Sequence, residues 1–218
     1  MRILAVDTTS AQGSVALVDG SVVRGEERLT DAQTPSVHLL PAIERLLAGC
    51  RLDSFQVDAF AAAVGPGSFT GLRVGLSTVQ GLALAAGRPC LGVCVLDVLA
   101  SVSVGARTLV LREAFRGEVF WALYDEEGRA MGEPRVGQLA AALAGASPEA
   151  SFVGDAASTH REAIAGRFPR ARFPSFEPYL AATLGLWAEP SLRAGQGARP
   201  ESLRPLYVRG EDTRRGRA

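Results

Sequence analysis

The stretch Gly65-Pro66-Gly67-Ser68-Phe69-Thr70-Gly71-Leu72-Arg73 holds the residue types most suited to chemistry, between an apolar run at 57–64 and a helical pattern from 72 onward. A glycine turn that leads a strand into a helix N-terminus suits an anion, because backbone N–H groups point out of the first helical turn and glycine lets the backbone approach closely. The same residues suit a plain tight turn with Ser68 as N-cap. The lysine of a phosphate-binding loop is missing, and the chain has no lysine at all. On the loop alone the two readings stand level. A second candidate is Asp7-Thr8-Thr9, where a carboxylate ends an apolar strand pattern and two hydroxyls follow.

The elements that must position these residues follow from periodicity. Strands are expected at 2–6 and 13–18, and Asp19-Gly20 turns the second into a third at 22–29. Thr34-Pro35 supplies an N-cap and first position for a helix to about 49, whose stripe is Leu39, Leu40, Ile43, Leu46 and Leu47, with Pro41 inside it. A strand at 57–64, a helix at 72–86 closed by Gly87, a strand at 90–96 and a helical stretch toward 103 complete the set. The pattern then restarts, with strands at 108–111, 117–124 and 129–135, a helix at 138–143, a strand at 152–153 and a helix at 158–167. A last helix spans about 180–193.

This is an α/β chain with a duplicated β-β-β-α-β-α unit. Ile3-Leu4-Ala5-Val6-Asp7 lies over Leu109-Val110-Leu111-Arg112-Glu113, and Gly13-Ser14-Val15-Ala16-Leu17 over Gly117-Glu118-Val119-Phe120-Trp121. The expected lobes are 1–105 and 106–195, with a tail at 196–218. Asp7 and Glu113 are then duplicated acids expected to face one another across a cleft between lobes, where proteins of this layout bind nucleotide phosphates and Mg²⁺.

Composition narrows the classes. Apolar residues make up 47% of the 218, ample for a core, and the formal net charge is zero, so no global field draws nucleic acid or an acidic membrane. All 23 basic residues are arginine, which most simply reflects coding bias. Cys50, Cys90 and Cys94 have no second Cys/His pair beside them, so reduced core thiols are expected rather than zinc. The first ten residues read as a strand rather than a signal peptide, and no apolar run reaches the roughly 20 residues that span a bilayer. A cytoplasmic protein without membrane contact is the expectation.

The layout resembles the actin-like ATPase fold (the sugar kinase/Hsp70-like, RNase H-like class). Within it the chain is similar to the bacterial TsaB, or YeaZ, family of tRNA threonylcarbamoyladenosine biosynthesis. The resemblance is carried by MRILAVDTTSAQGSVAL at 1–17, HLLPAIERLL at 38–47, VGPGSFTGLRVGLSTVQGLALA at 64–85, GEVFWALYD at 117–125 and LYVRG at 206–210. It covers nearly the whole chain and is strongest through residue 100. The family is the smaller relative of the TsaD enzyme, which transfers a threonylcarbamoyl group to N6 of adenosine 37 in tRNAs reading codons that begin with A. That enzyme holds a metal on two histidines of a G-V-N-H-M-E-G-H-like motif. The matching residues here are Gly92-Val93-Cys94-Val95-Leu96-Asp97-Val98-Leu99, so the histidine positions hold Val95 and Leu99, which cannot ligate metal. His38 and His160 lie elsewhere.

The resemblance therefore implies a non-catalytic subunit with no metal site and no required cofactor. Its implied partners are a TsaD-like catalytic homologue, a TsaE-like P-loop ATPase, a second copy of itself, and tRNA indirectly. The helix at 72–86 is apolar or small nearly all round, and such a helix is normally buried, which in a thin lobe needs a partner. The family pairs through its two N-lobe helices, so the implied interface is Leu39, Leu40, Ile43, Leu47, Gly71, Leu72, Gly75, Leu76 and Val79. In this picture the glycines at 65–71 launch a helix slim enough to pack on that partner, away from the acid pair. The alternative is a nucleotide-binding ATPase. In the fold's first phosphate motif the Asp holds Mg²⁺ through water, so ATP or ADP would meet Asp7, Thr8, Thr9, Gly13 and Glu113. The competing role for Asp7 is capping its own turn, and Glu113 departs from the expected Asp. A metallopeptidase, an older label for this superfamily, is opposed by the missing histidines. Arg73 suits a phosphate or a carboxylate, and the tail arginines 209, 214, 215 and 217 suit either solvent or tRNA phosphates.

Overall fold

The computed structural model describes residues 1–29 and 35–208; Thr34 and the tail arginines named above lie outside them. The described residues divide into two compact units, those of 1–95 with 178–206, and those of 96–177 with 207–208.

In the first unit, β1 (Arg2–Asp7), β2 (Ser14–Asp19) and β3 (Val22–Arg28) form an antiparallel meander. Next come α1 (Pro35–Gly49), β4 (Ala59–Gly65), α2 (Phe69–Ala86) and β5 (Cys90–Cys94). The sheet order is β3-β2-β1-β4-β5, with β4 parallel to β1 and β5 parallel to β4. β1 and β4 are buried on both faces, which accounts for their unbroken apolar runs. One face packs on α1 and α2: Leu4, Val6, Val15, Leu17 and Phe60 share a core with Leu39, Ile43, Leu76 and Val79. Each large side chain buried there contributes about 1.5–3 kcal/mol. Pro41 stays inside α1 on its exposed side, where the missing N–H and the ring leave the buried stripe undisturbed.

α3 (Val95–Ala100), whose residues from Leu96 on belong to the second unit, leads to β6 (Thr108–Glu113), β7 (Val119–Tyr124) and β8 (Arg135–Gly137). Then follow α4 (Leu139–Leu143), β9 (Ser151–Val153), α5 (Asp155–Thr159) and α6 (Arg161–Arg167). The order β8-β7-β6-β9 repeats that of the first sheet without its fifth strand. Leu109, Leu111, Trp121 and Phe152 pack against Ala142, Ala156 and Ile164. The expected duplication is present in both sheets.

Several boundaries differ from expectation. The strand expected to reach 96 ends at Cys94, where α3 begins at once. The third strand of the repeat is Arg135–Gly137 rather than 129–135, after an isolated bridge from Tyr124 to Ala130. The helix expected at 158–167 is two short helices, because His160 has φ −101° and ψ 19° and interrupts the helical run. The last helix, α7 (Ala181–Arg193), was expected in the second lobe but packs on the first sheet. Gly185 makes this fit: a Cβ there would lie 2.7 Å from Val18 and 3.1 Å from Ala5. Beyond α7, Ala198 pairs with Cys90, and Gln80 Nε2 donates to the carbonyls of Pro200 and Leu203 at 3.0 and 3.1 Å. Residues 196–206 therefore close the edge of the first sheet rather than trailing from the second lobe.

Candidate functional site

The β1–β2 turn and the start of α2 form one unit. Asp7 Oδ1 accepts from the Thr9 N–H at 2.8 Å and from Thr9 Oγ1 at 2.6 Å. The Thr8 hydroxyl donates to the Gly71 carbonyl at 2.7 Å, and the Ser68 N–H donates to the Thr9 carbonyl at 2.8 Å. Ser68 caps α2 by accepting from Gly71 N–H at 3.2 Å, and helix formation begins at Phe69, three residues earlier than expected. The glycines are where this turn presses in. A Cβ on Gly71 would lie 1.9 Å from the Thr8 carbonyl oxygen, one on Gly67 2.3 Å from that of Thr9, and one on Gly75 2.3 Å from Thr8 Oγ1.

The turn is capped by Ser68, Thr8 and Thr9 fill the space beside the glycines, and the loop lies against Asp7-Thr8-Thr9 rather than apart from it. The small face of α2 at Gly71 and Gly75 is likewise occupied from within.

The residues expected to hold nucleotide do not make an open site. Asp7, Thr8 and Thr9 are all buried, and Asp7 Oδ2 is sealed in without a hydrogen-bond partner. Gly13 is buried against Leu29 and the Asp7 carbonyl. Nor is Glu113 the counterpart of Asp7. Register pairs Leu4 with Phe60 in the first sheet and Leu109 with Phe152 in the second, and each pair faces its own helices. Laying one pair on the other puts Val6 on Leu111 and Asp7 on Arg112. The expected alignment is one residue out, and a one-residue slip in a strand turns every side chain to the other face. Arg112 is buried and sits 3.9 Å from the Asp155 carboxylate. Glu113 lies at the strand's end, where its N–H donates to Asp155 Oδ1 at 3.0 Å and its carboxylate is 3.8 Å from His160. Within the first unit, the closed turn leaves the Asp7 carboxylate no opening toward a Mg²⁺–phosphate group.

The expected interface residues also divide. Leu39, Ile43, Leu47, Leu72, Leu76 and Val79 are buried in the core of their own unit, at most 5% exposed, and so are Gly71 and Gly75. Leu40 alone is open, at 52%. The outward residues that the expectation omitted are Val37 on α1, one turn before Leu40, and Thr70, Arg73, Ser77, Gly81 and Leu84 on α2. Only burial in the fold separates the two faces; the apolar stripe in the sequence carries no such signal. The Arg73 guanidinium lies 3.8 Å over the Phe69 ring. Phe69 is half exposed beside the outer stripe.

Val95 and Leu99, the positions the resemblance sets against two histidines, are 0% and 2% exposed. Among the described residues no three His, Cys, Asp or Glu side chains gather to hold a metal, and no helix is long and apolar enough to cross a membrane. The neighbouring Asp97 accepts from the Tyr124 hydroxyl at 2.6 Å. Burial pushes its carboxyl above the ordinary aspartate range, and the Tyr124 hydrogen bond draws it partly back. With the folded pKa above the unfolded one, this carboxyl favours folding least once ionised, so its contribution falls as pH rises through that window. Tyr124→Phe removes the donor and is expected to raise the Asp97 pKa further. It is expected to cost about 1–2 kcal/mol at neutral pH and less at pH 3, where the carboxyl is protonated. Denaturant titrations at the two pH values check this; an equal loss at both would refute it.

The model for the family TsaD, tRNA N6-adenosine threonylcarbamoyltransferase, matches residues 31–185. An uncharacterized protein of Mycobacterium tuberculosis is 32% identical over 97% of this chain and 93% of its own length. The tRNA threonylcarbamoyladenosine biosynthesis protein TsaB of Escherichia coli is 37% identical over 61% of this chain and 60% of its own. The crystal structure of an uncharacterized Pseudomonas aeruginosa protein with similarity to peptidase YeaZ superposes with a TM-score of 0.79 at 29% identity, covering 95% of this chain and 99% of that one. With two sheets of repeated topology in the actin-like ATPase fold and these similarities over nearly its whole length, the chain belongs to the TsaB/YeaZ family.

Proposed function

We propose that this chain acts in the formation of N6-threonylcarbamoyladenosine at position 37 of tRNA, as a non-catalytic subunit that dimerises with a TsaD-like catalytic homologue. The observation that carries this reading is the pair Val95 and Leu99, buried and apolar where the homologue needs metal ligands. The closed Asp7–Thr9 turn supports it, since it leaves no evident work for a nucleotide in the first unit. The docking face is the outer side of α1 and α2. Val37 and Leu40 offer apolar area, and Ser77 and Gly81 allow close approach of a second helix. A TsaE-like ATPase completes the assembly, and in the absence of the homologue the same face pairs two copies of this chain.

The test is reconstitution. The purified chain alone is expected to transfer no threonylcarbamoyl group from threonylcarbamoyl-adenylate to tRNA. The homologue alone is expected to be slow, and the two together to be at least tenfold faster. Transfer by this chain alone, or no gain on mixing, would overturn the role.

A further inference from the structure

Charge in the second unit is sorted by place. Between 113 and 133 the chain carries six carboxylates against two arginines; from 161 to 172 it carries Arg161, Arg167, Arg170 and Arg172 against Glu162 alone. All four arginines are exposed. Two of them, Arg161 and Arg167, sit against one aromatic centre. Buried Phe152 packs on Phe168 at 5.4 Å and on Phe173 at 5.8 Å. The Arg161 guanidinium lies 4.3 Å over Phe173, and that of Arg167 lies 5.5 Å from the centre of the Phe168 ring. Arg172 lines a polar cavity of about 350 Å³. The two carboxylates in that lining, Glu126 and Glu149, are already paired, with Arg107 at 3.1 Å and Arg170 at 2.7 Å. Among the described residues Arg161, Arg167 and Arg172 have no carboxylate within ion-pair distance.

We propose that this arginine face on α6 and the following loop binds RNA. The unpaired guanidinium groups take the phosphate backbone, and Arg161 and Arg167, held over rings, turn their outer planes to an unstacked base. A protein whose total charge is zero gains from this a local attraction that its composition conceals. The inference rests on the role proposed above, in which the substrate is a tRNA.

The experiment uses the full chain in complex with its catalytic homologue and a fluorescein-labelled tRNA transcript reading an A-starting codon, with binding followed by anisotropy over a range of salt. The triple variant Arg161→Gln, Arg167→Gln, Arg172→Gln is expected to bind at least tenfold more weakly. Its slope of log affinity against log salt is expected to fall by about 2 to 3, one for each lost phosphate contact. Threonylcarbamoyl transfer should show a raised KM for tRNA with kcat unchanged. Replacing the same three residues by lysine keeps the charge and should keep the salt slope of wild type while losing the stacking on a base, so its affinity should fall between wild type and the glutamine variant, which separates contact loss from misfolding. Unchanged binding by the glutamine variant overturns the proposal. So does an equal loss in Arg88→Gln, Arg199→Gln, two exposed arginines of the first unit. If the wild-type complex transfers no faster than the homologue alone, the proposed role fails instead, whatever the RNA binding shows.

Discussion

Replacing Gly71 by alanine should lower the melting temperature of this protein by about 6–12 °C, a loss of about 3 kcal/mol. The added methyl would stand 1.9 Å from the carbonyl oxygen of Thr8. That oxygen is backbone, in a turn held by the Asp7–Thr9 bonds on one side and the Ser68–Thr9 bond on the other. No rotamer change relieves the contact, so either the turn moves as a block or α2 lifts from the sheet and its Leu72, Leu76 and Val79 lose packing. Gly75→Ala should do less, because its nearest atom is the Thr8 hydroxyl at 2.3 Å, which can rotate away with the loss of one hydrogen bond. Gly81→Ala meets nothing within 4 Å on an exposed helix face and should stabilise by up to about 1 kcal/mol. Thermal melts of the three proteins give the order. Equal melting of Gly71→Ala and wild type would show that the turn is not pinned to α2.

The sequence legibly specified the strands, the helices and the repeat, because apolar period and turn residues are local properties. Asp19-Gly20 had to turn, Gly87 had to stop a helix, and it does so with φ 62° in the left-handed region. What was illegible depended on partners distant in the chain. The small residues of α2 were visible, but nothing local says that Thr8 fills the space beside Gly71 and Gly75. The acids Asp7 and Glu113 seemed duplicates because they share a chemistry, whereas the parallel pairing of Leu4 with Phe60 and Leu109 with Phe152 sets the true equivalence and delivers Arg112. For α7, sequence order suggested the second unit, while the contact of Gly185 with Val18 and Ala5 belongs to the first. The expected interface residues divide between buried and exposed for a related reason. A wide apolar stripe on a helix does not say which edge of the stripe meets its own sheet, and burial divides Leu39 from Leu40 although they are adjacent.

That division yields the sharpest test of the proposed assembly. Leu40→Asp should abolish co-elution with the catalytic homologue, weakening association by more than about 100-fold, while the chain melts within a few degrees of wild type. Leu40 is half exposed in the free chain, so a carboxylate there stays hydrated and the fold loses little. In the complex, the same carboxylate would displace a leucine worth about 1.5–3 kcal/mol of burial and would also be desolvated without a partner, which together exceed about 3 kcal/mol. Leu76→Asp must behave differently although the same family resemblance implicates it. Leu76 is 4% exposed in the core between α2 and the first sheet, and a charge there unfolds the unit. Size-exclusion chromatography and melting curves, run on both variants, separate the two modes of failure. If Leu40→Asp co-elutes like wild type, the outer face of α1 is not the docking surface. If Leu76→Asp folds normally yet fails to bind, the buried side of α2 must open in the complex, and the interface would be formed by refolding the lobe rather than by its outer stripe.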